Sequence, residues 1–377
     1  MRAPRYPGCV VSDRVFNFSA GPATLPLPVL EQAQRDLLSL PGIGASPLEI
    51  SHRSPWFEDV IGEAEANLRH LLEIPETHHV VFCQGGATMQ FSMVAMNLLR
   101  GSSRAAAYVI TGAWGDKAVE EARKEGDATV AWSGEAGGFT RVPERDELEH
   151  ALPTEAAYVH VTSNETIHGV EFPETPFAPA DVPLVCDTSS DFLSRAVDVT
   201  RYGLLYAGAQ KNAGPAGVTV AIVRDDLLAG VPDGLPTMLD YRTYVSSGSM
   251  HNTPPVFAIY VLMLVTRWLR DEVGGLGEQH RANQEKAGLV YDAIDGSEGF
   301  YRGHAERRSR SLMNVTWRLP SEDLERRFVA GAAERGLAEL KGHRSVGGIR
   351  ASLYNAMPLA GAQALADFMD AFAASHR

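Results

Sequence analysis

Cysteine is scarce in this chain: Cys9, Cys83 and Cys186 are the three in 377 residues, and no spacing among them suits a metal site. An odd number without a pattern argues against a disulfide framework. Cys83 and Cys186 lie in apolar runs, so they read as reduced core thiols of a cytoplasmic protein. Positive charge is in deficit as well, since the formal net charge is −13, which disfavours nucleic acid or an anionic membrane surface as a partner. An anionic small molecule must then be held by a local cluster of cations. No stretch approaches the ~20 apolar residues of a membrane span, and no apolar run precedes Asp13. The sequence therefore predicts a soluble, unprocessed chain in which residues 1 to 13 form a loose tail. Neither G-x-G-x-x-G nor a P-loop lysine occurs, so nicotinamide and ATP chemistry are disfavoured.

What is present centres on one lysine. In Tyr206-Ala207-Gly208-Ala209-Gln210-Lys211-Asn212-Ala213-Gly214-Pro215-Ala216-Gly217, Lys211 sits on a glycine-rich connection between two apolar runs that read as strands. Small neighbours leave room around an amine partly removed from water, which lowers its pKa and makes it a candidate Schiff-base former. The local composition fits a surface turn equally well. Asp187 separates the two readings, because the run Val182 to Cys186 is a strand that ends in this aspartate. A reactive lysine beside an ionised carboxylate is what a pyridoxal phosphate enzyme needs, since the carboxylate keeps the cofactor's ring nitrogen protonated.

Other candidates fall at predicted strand ends and helix starts. Ser51-His52-Arg53-Ser54 precedes an amphipathic helix over 55–72, where a His-Arg pair either holds an anion or is merely solvated. A strand over 80–83, the small-residue turn Gln84 to Thr88 and a helix over 89–99 offer free N–H groups to a phosphate. Trp114, at the end of a strand over 106–111, either stacks on a flat ring or is a core aromatic. The strand over 157–161 ends in Thr162-Ser163-Asn164-Glu165-Thr166, suited to hydrogen bonding. Strands near 80, 107, 158, 184, 204 and 219 with intervening helices predict an α/β sheet with its sites along one edge. Farther on, Lys341 to Ser352 gathers several basic groups in a glycine-rich, apolar setting, where Arg350 is a candidate carboxylate clamp.

Several long runs carry a resemblance. Phe16 to Pro22, Ser51-His52-Arg53, Gly208 to Gly217, Asn252-Thr253-Pro254-Pro255 and Gly342 to Ala356 are similar, in the same order, to those of the phosphoserine aminotransferases. The resemblance implies a fold-type-I, pyridoxal 5'-phosphate-dependent α/β transferase: a large domain with a mainly parallel seven-stranded sheet over 14–265, and a smaller α/β domain over 266–377. The first ~10 residues of the large domain are expected to pack with the small one. It further implies a homodimer with shared active sites. The implied reaction is ping-pong transfer between L-glutamate and 3-phosphohydroxypyruvate in serine biosynthesis, with 4-phosphohydroxy-L-threonine of the vitamin B6 pathway as a further substrate.

Carried over by position, Lys211 would hold the cofactor and move a proton, Asp187 would pair with the ring nitrogen, Trp114 would stack on the ring and Thr166 would bond its hydroxyl. Ala87, Thr88 and Gln210, with Asn252 and Thr253 of the partner chain, would bind the cofactor phosphate. Arg350 would take the substrate α-carboxylate, with His52, Arg53, His343 and Arg344 around the distal anion, the last two supplied by the partner subunit. Some family members have an arginine where Thr88 stands and a serine where Ala20 stands.

Overall fold

Runs of small and β-branched apolar residues bounded by polar or glycine-rich turns form the central sheet. The computed structural model describes residues 14–376; Cys9 and the tail over 1–13 lie outside the described residues. In chain order the strands are β1 (Phe16–Asn17), β2 (His78–Gly85), β3 (Ala106–Ile110), β4 (Ala128–Ser133), β5 (Val159–Thr162), β6 (Asn164–Glu165), β7 (Val170–Glu171), β8 (Leu184–Asp187), β9 (Leu204–Gly208), β10 (Gly217–Arg224), β11 (Arg302–Gly303), β12 (Asn314–Arg318), β13 (Leu337–Ala338) and β14 (Ile349–Ser352). The helices are α1 (Leu27–Asp36), α2 (Pro55–Leu72), α3 (Ala87–Leu98), α4 (Ala113–Ala122), α5 (Arg145–Ala151), α6 (Asp225–Leu228), α7 (Tyr241–Ser246), α8 (Val256–Trp268), α9 (Leu276–Asp295), α10 (Glu322–Ala333) and α11 (Leu359–His376).

Seven strands form one sheet in the order β2-β10-β9-β8-β5-β3-β4. The ladders are parallel except at β10, which runs antiparallel to both β2 and β9. The central strands β3, β5, β8 and β9 are buried along their whole length, as expected of a sheet covered on both faces. Strand β4 was not among the strands predicted from sequence. It is the edge strand, half-exposed, so Ala-Thr-Val-Ala-Trp-Ser carries little apolar contrast.

Helix α2 covers one face with Phe57, Val60, Ile61, Ala64, Leu68 and Leu71 at helical spacing. It starts where predicted: Pro55 follows Ser54, whose Oγ accepts from the Phe57 N–H at 3.3 Å. Helix α8, apolar nearly all round, is buried behind it, and Asn67 Nδ2 donates to Thr266 Oγ1 at 3.2 Å between them.

A second core lies beyond α8. Phe18, Val290, Trp317, Phe328, Leu353 and Leu365 pack together there, among α9, α10, α11 and the sheet of β11, β12 and β14. The chain's first described strand joins it, since β1 pairs in parallel with β13. The seven-stranded sheet thus packs into clusters of its own and the C-terminal segments into another. The cleft between them receives the carboxyl ends of β3, β5, β8 and β9, the edge where parallel α/β sheets place their ligands.

Candidate active site

Strands β5 and β8 run in register, with Thr162 beside Asp187, so both side chains emerge at the same edge. Lys211 follows β9 on a tight loop in which Ala213 and Gly214 N–H groups donate to the Ala209 carbonyl at 3.1 and 2.8 Å. The loop is closed by Gly217, whose φ of +110° suits glycine. The segment Ala20–Gly21 crosses above it, held by the Ala23 N–H on the Gln210 carbonyl at 2.8 Å and by Tyr354 Oη donating to the Ala20 carbonyl at 2.8 Å. These elements enclose a cavity of about 300 Å³.

Most of the predicted site residues line that cavity. Ala87, Thr88, Trp114, Thr166, Asp187, Gln210, Lys211, His343 and Arg350 are on its wall, as is Ala20. Lys211 Nζ donates to Thr166 Oγ1 at 2.7 Å and lies 5.8 Å from the centroid of the Trp114 ring. Burial lowers the pKa of this amine, and the carboxylates of Asp187 and Glu165 act against that shift. Burial raises the pKa of Asp187, opposed by Lys211 and by the Ser189 N–H, which donates to Asp187 Oδ1 at 2.9 Å. Gly86 offers no side chain to cap α3, which leaves the N–H groups of its first turn to a bound anion.

Arg350, on β14, reaches in from the C-terminal body. Its Nη1 donates to the Thr166 carbonyl at 3.4 Å, and it joins no ion pair among the described residues. Burial depresses the His343 pKa, and so do the nearby cations Arg350, Arg344 and Lys117. An acidic chain thus gathers positive charge at one wall of the cavity.

One expectation needs correction. Trp114 does not end a strand: β3 stops at Ile110, and Trp114 lies in the first turn of α4, because its N–H and that of Gly115 find a carboxylate to cap them. His343, expected from the partner subunit, lines the cavity of its own chain. The bridge between Lys341 and Ile349 folds the intervening loop back beside Arg350. Arg344, Arg53, Asn252 and Thr253 are exposed and His52 is half-buried; all five lie off the cavity wall. Gln84 Nε2 donates to Asn252 Oδ1 at 3.4 Å and to the Thr253 carbonyl at 3.0 Å. Sequence reading had not singled out Glu165, Ser189 or Ser190. The signal available for Glu165 was a charged residue in an otherwise uncharged polar run at a strand end.

A profile of the family Aminotransferase class-V matches residues 15–365. The chain belongs to the class-V aminotransferases. Within that family it is similar to the phosphoserine aminotransferase of Rhodopirellula baltica, 54% identical over 97% of this chain and 96% of the relative. The phosphoserine aminotransferase of Geobacillus kaustophilus is 54% identical over 95% of this chain and 98% of that one. Among solved structures, phosphoserine aminotransferase from Bacillus circulans superposes with a TM-score of 0.94 at 50% identity, covering 97% of this chain and 100% of its own. A pyridoxal phosphate-bound phosphoserine aminotransferase of Trichomonas vaginalis superposes with a TM-score of 0.87 at 38% identity, covering 95% and 100%. The fold of this class-V aminotransferase is the predicted α/β transferase fold with a mostly parallel seven-stranded sheet.

Proposed function

We propose that this chain is a pyridoxal phosphate-dependent phosphoserine aminotransferase, exchanging an amino group between L-glutamate and 3-phosphohydroxypyruvate by a ping-pong route. The observation that carries the reading is Arg350, a guanidinium with no ion-pair partner among the described residues, on the wall of the cavity that holds Lys211 and Asp187. A half-buried guanidinium stays protonated and favours an anion, and both substrates carry an α-carboxylate.

The residues fit the cofactor. Among the described residues Trp114 Nε1 and Thr162 Oγ1 are buried without hydrogen-bond partners, the α3 N-terminus lacks a side-chain cap, and a buried carboxylate and an amine face the same space. Asp187 would hold the ring-nitrogen proton, Trp114 the ring face and Thr166 the ring hydroxyl. Ala87, Thr88 and Gln210 would hold the phosphate. When bound, pyridoxal phosphate supplies an electron sink for charge developing at the substrate Cα and stores the amino group between the two halves of the exchange. Lys211 Nζ takes and returns the proton at the substrate Cα; its depressed basicity leaves more of it neutral for that task. Arg350 orients the substrate through its carboxylate, and His343, among Arg344 and Lys117, faces the distal anion.

The same reading includes a cytoplasmic homodimer and two domains, 14–265 and 266–377. Leu38 and Leu48, 87% and 64% exposed between α1 and α2, support burial against a second copy. Asn252 and Thr253 are exposed and off their own cavity, which supports a role in completing the partner's phosphate site. The separate C-terminal core supports the domain division. Buried reduced Cys83 and Cys186 support the cytoplasm, and no helix among the described residues is long and apolar enough to cross a membrane.

The activity is tested by glutamate-dependent turnover of 3-phosphohydroxypyruvate against hydroxypyruvate. Equal kcat/KM for the two would overturn the phosphorylated substrate. For the shared site, Lys211→Ala chains are refolded with Asn252→Ala/Thr253→Ala chains. Random pairing yields about half mixed dimers, each with one intact site, and so roughly a quarter of wild-type sites. Activity no higher than the average of the two parents would reject sharing.

A further inference from the structure

Glu165 is fully buried at the end of β6, directly after the cavity-lining residues of β5 and next to Thr166. Its carboxylate acts on Lys211 only through its charge, with no hydrogen bond between them. It points at the first turn of α4 instead. The Trp114 N–H donates to Glu165 Oε1 at 3.2 Å and to Oε2 at 3.1 Å, and the Gly115 N–H donates to Oε1 at 2.9 Å. Helix α4 begins after Gly112, which has no side chain to cap it, so these orphan N–H groups are satisfied by a residue far along the chain.

The packing there is close enough to dictate sequence. A Cβ on Gly112 would meet Glu165 Cδ at 2.5 Å, so the glycine makes room for the carboxyl group. The neighbouring Thr166 ties the same short segment to the rest of the site, since its Oγ1 accepts from Lys211 Nζ at 2.7 Å and its carbonyl from Arg350 Nη1 at 3.4 Å. Two consecutive residues therefore link Trp114, Lys211 and Arg350, which come from three different elements.

We propose that Glu165 is a positioning residue: it caps α4 from the end of the neighbouring strand and thereby fixes the backbone that aims the Trp114 indole over the cavity. Without it, the first turn of α4 has no fixed acceptor and the indole loses its pose. Burial pushes the Glu165 pKa up to about 7; the Gly115 and Trp114 N–H groups lower it, Asp187 raises it and Lys211 lowers it. The carboxylate is therefore held in a place where its own burial works against its charge, as a cap used for placement rather than for fold stability would be.

The part of the proposal concerning the backbone is independent of the function assigned above; the part concerning a stacked ring rests on that reading. The test uses Glu165→Ala, Glu165→Gln and Glu165→Asp in the full chain. Hydrogen exchange of the segment 112–118, measured without cofactor, should quicken by about tenfold in Glu165→Ala, in line with loss of hydrogen bonds to a charged group. Exchange in α2 should be unchanged. Pyridoxal phosphate should bind about tenfold more weakly, and the visible circular dichroism of the bound cofactor should fall. Glu165→Gln, which keeps the reach and one acceptor oxygen, should restore most of both, whereas Glu165→Asp, one methylene short, should not. Unchanged exchange over 112–118 overturns the proposal, and so does faster exchange with unaltered cofactor dichroism and affinity, which would make Glu165 a structural cap only. If the wild-type protein binds no pyridoxal phosphate, the cofactor reading fails while the exchange comparison still decides the cap. If Glu165→Ala does not fold, Glu165→Asp against Glu165→Gln decides it: equal exchange in the two overturns the proposal.

Discussion

Lys211 and Lys286 are both drawn out of water, on opposite sides of the cleft, and they meet different company. Around Lys211 stand two carboxylates, Asp187 and Glu165, a threonine hydroxyl and an open cavity. Lys286, on α9, is buried in a closed setting where its Nζ donates to the carbonyls of Leu353, Tyr354 and Asn355 at 2.9, 2.8 and 3.3 Å. Those carbonyls follow β14, which carries Arg350, and the Asn355 N–H donates to Asn212 Oδ1 at 2.9 Å, next to Lys211 itself. One amine has acceptors and space; the other has acceptors and none. The difference is the one between a group set up for reaction, as proposed for Lys211, and a fastener: chemistry needs an approach path and neighbours that tune charge, while the fastener needs only saturation of its donors.

The comparison is broken most sharply at Lys211. Lys211→Ala should leave the fold intact while glutamate-dependent turnover falls by about 10⁴-fold, since both nucleophile and proton carrier are gone. Normal kcat in that variant would remove Lys211 from the chemistry. Asp187→Asn should come next, with kcat lower by about 10³-fold and cofactor affinity, set largely by the phosphate, changed far less. A loss in kcat under about tenfold would give the aspartate another task.

Arg350→Ala should lower kcat/KM for glutamate and for the phosphorylated keto acid alike, by about 10²-fold, through the shared α-carboxylate. Arg53→Ala and Arg344→Ala should act on the distal anion and so discriminate between 3-phosphohydroxypyruvate and hydroxypyruvate. Equal losses on both keto acids would make these two arginines structural.

On the other side of the comparison, Lys286→Met should destabilise the protein by about 2 kcal/mol, the cost of leaving buried carbonyls unpaired, with kcat little changed. The measurement is the urea midpoint, and a large fall in kcat at unchanged stability would erase the distinction between the two lysines. Burial also pushes the Lys286 pKa from 10.5 down to about 7. Between those values the unfolded chain binds a proton that the folded one has given up, so this group's contribution to stability rises with pH from about 7 to 10.5. The slope can reach about 1.4 kcal/mol per pH unit. Lys286→Met should flatten it, and identical slopes in both proteins would reject the shift.

Short-range pattern was enough for much of this molecule. The buried strands are near-continuous apolar runs, α2 begins at a Ser-Pro cap that can be read by eye, and Lys211 and Asp187 lie at run ends where the pair favours a site over two separate turns. These features are legible because backbone geometry and burial impose periods and punctuation on neighbouring residues. What escaped has its cause far away in the chain. Strand β4 exists because β3 offers it a ladder, not because its half-exposed side chains demand one. The helix beginning at Ala113 needs Glu165 as its cap, and nothing within Gly112-Ala113-Trp114-Gly115 shows that a carboxylate will arrive. His343 faces its own cavity because a loop folds back on β14. Lys286 looks like any lysine on an amphipathic helix until the chain after β14 lays three carbonyls over it. The sequence by itself determined the buried strands, the start of α2 and the candidate pair Lys211 and Asp187, since each follows from local sterics and burial. Which polar groups satisfy one another across the cleft was decided only by the tertiary structure, because desolvated donors and acceptors must pair with whatever the fold brings within about 3 Å.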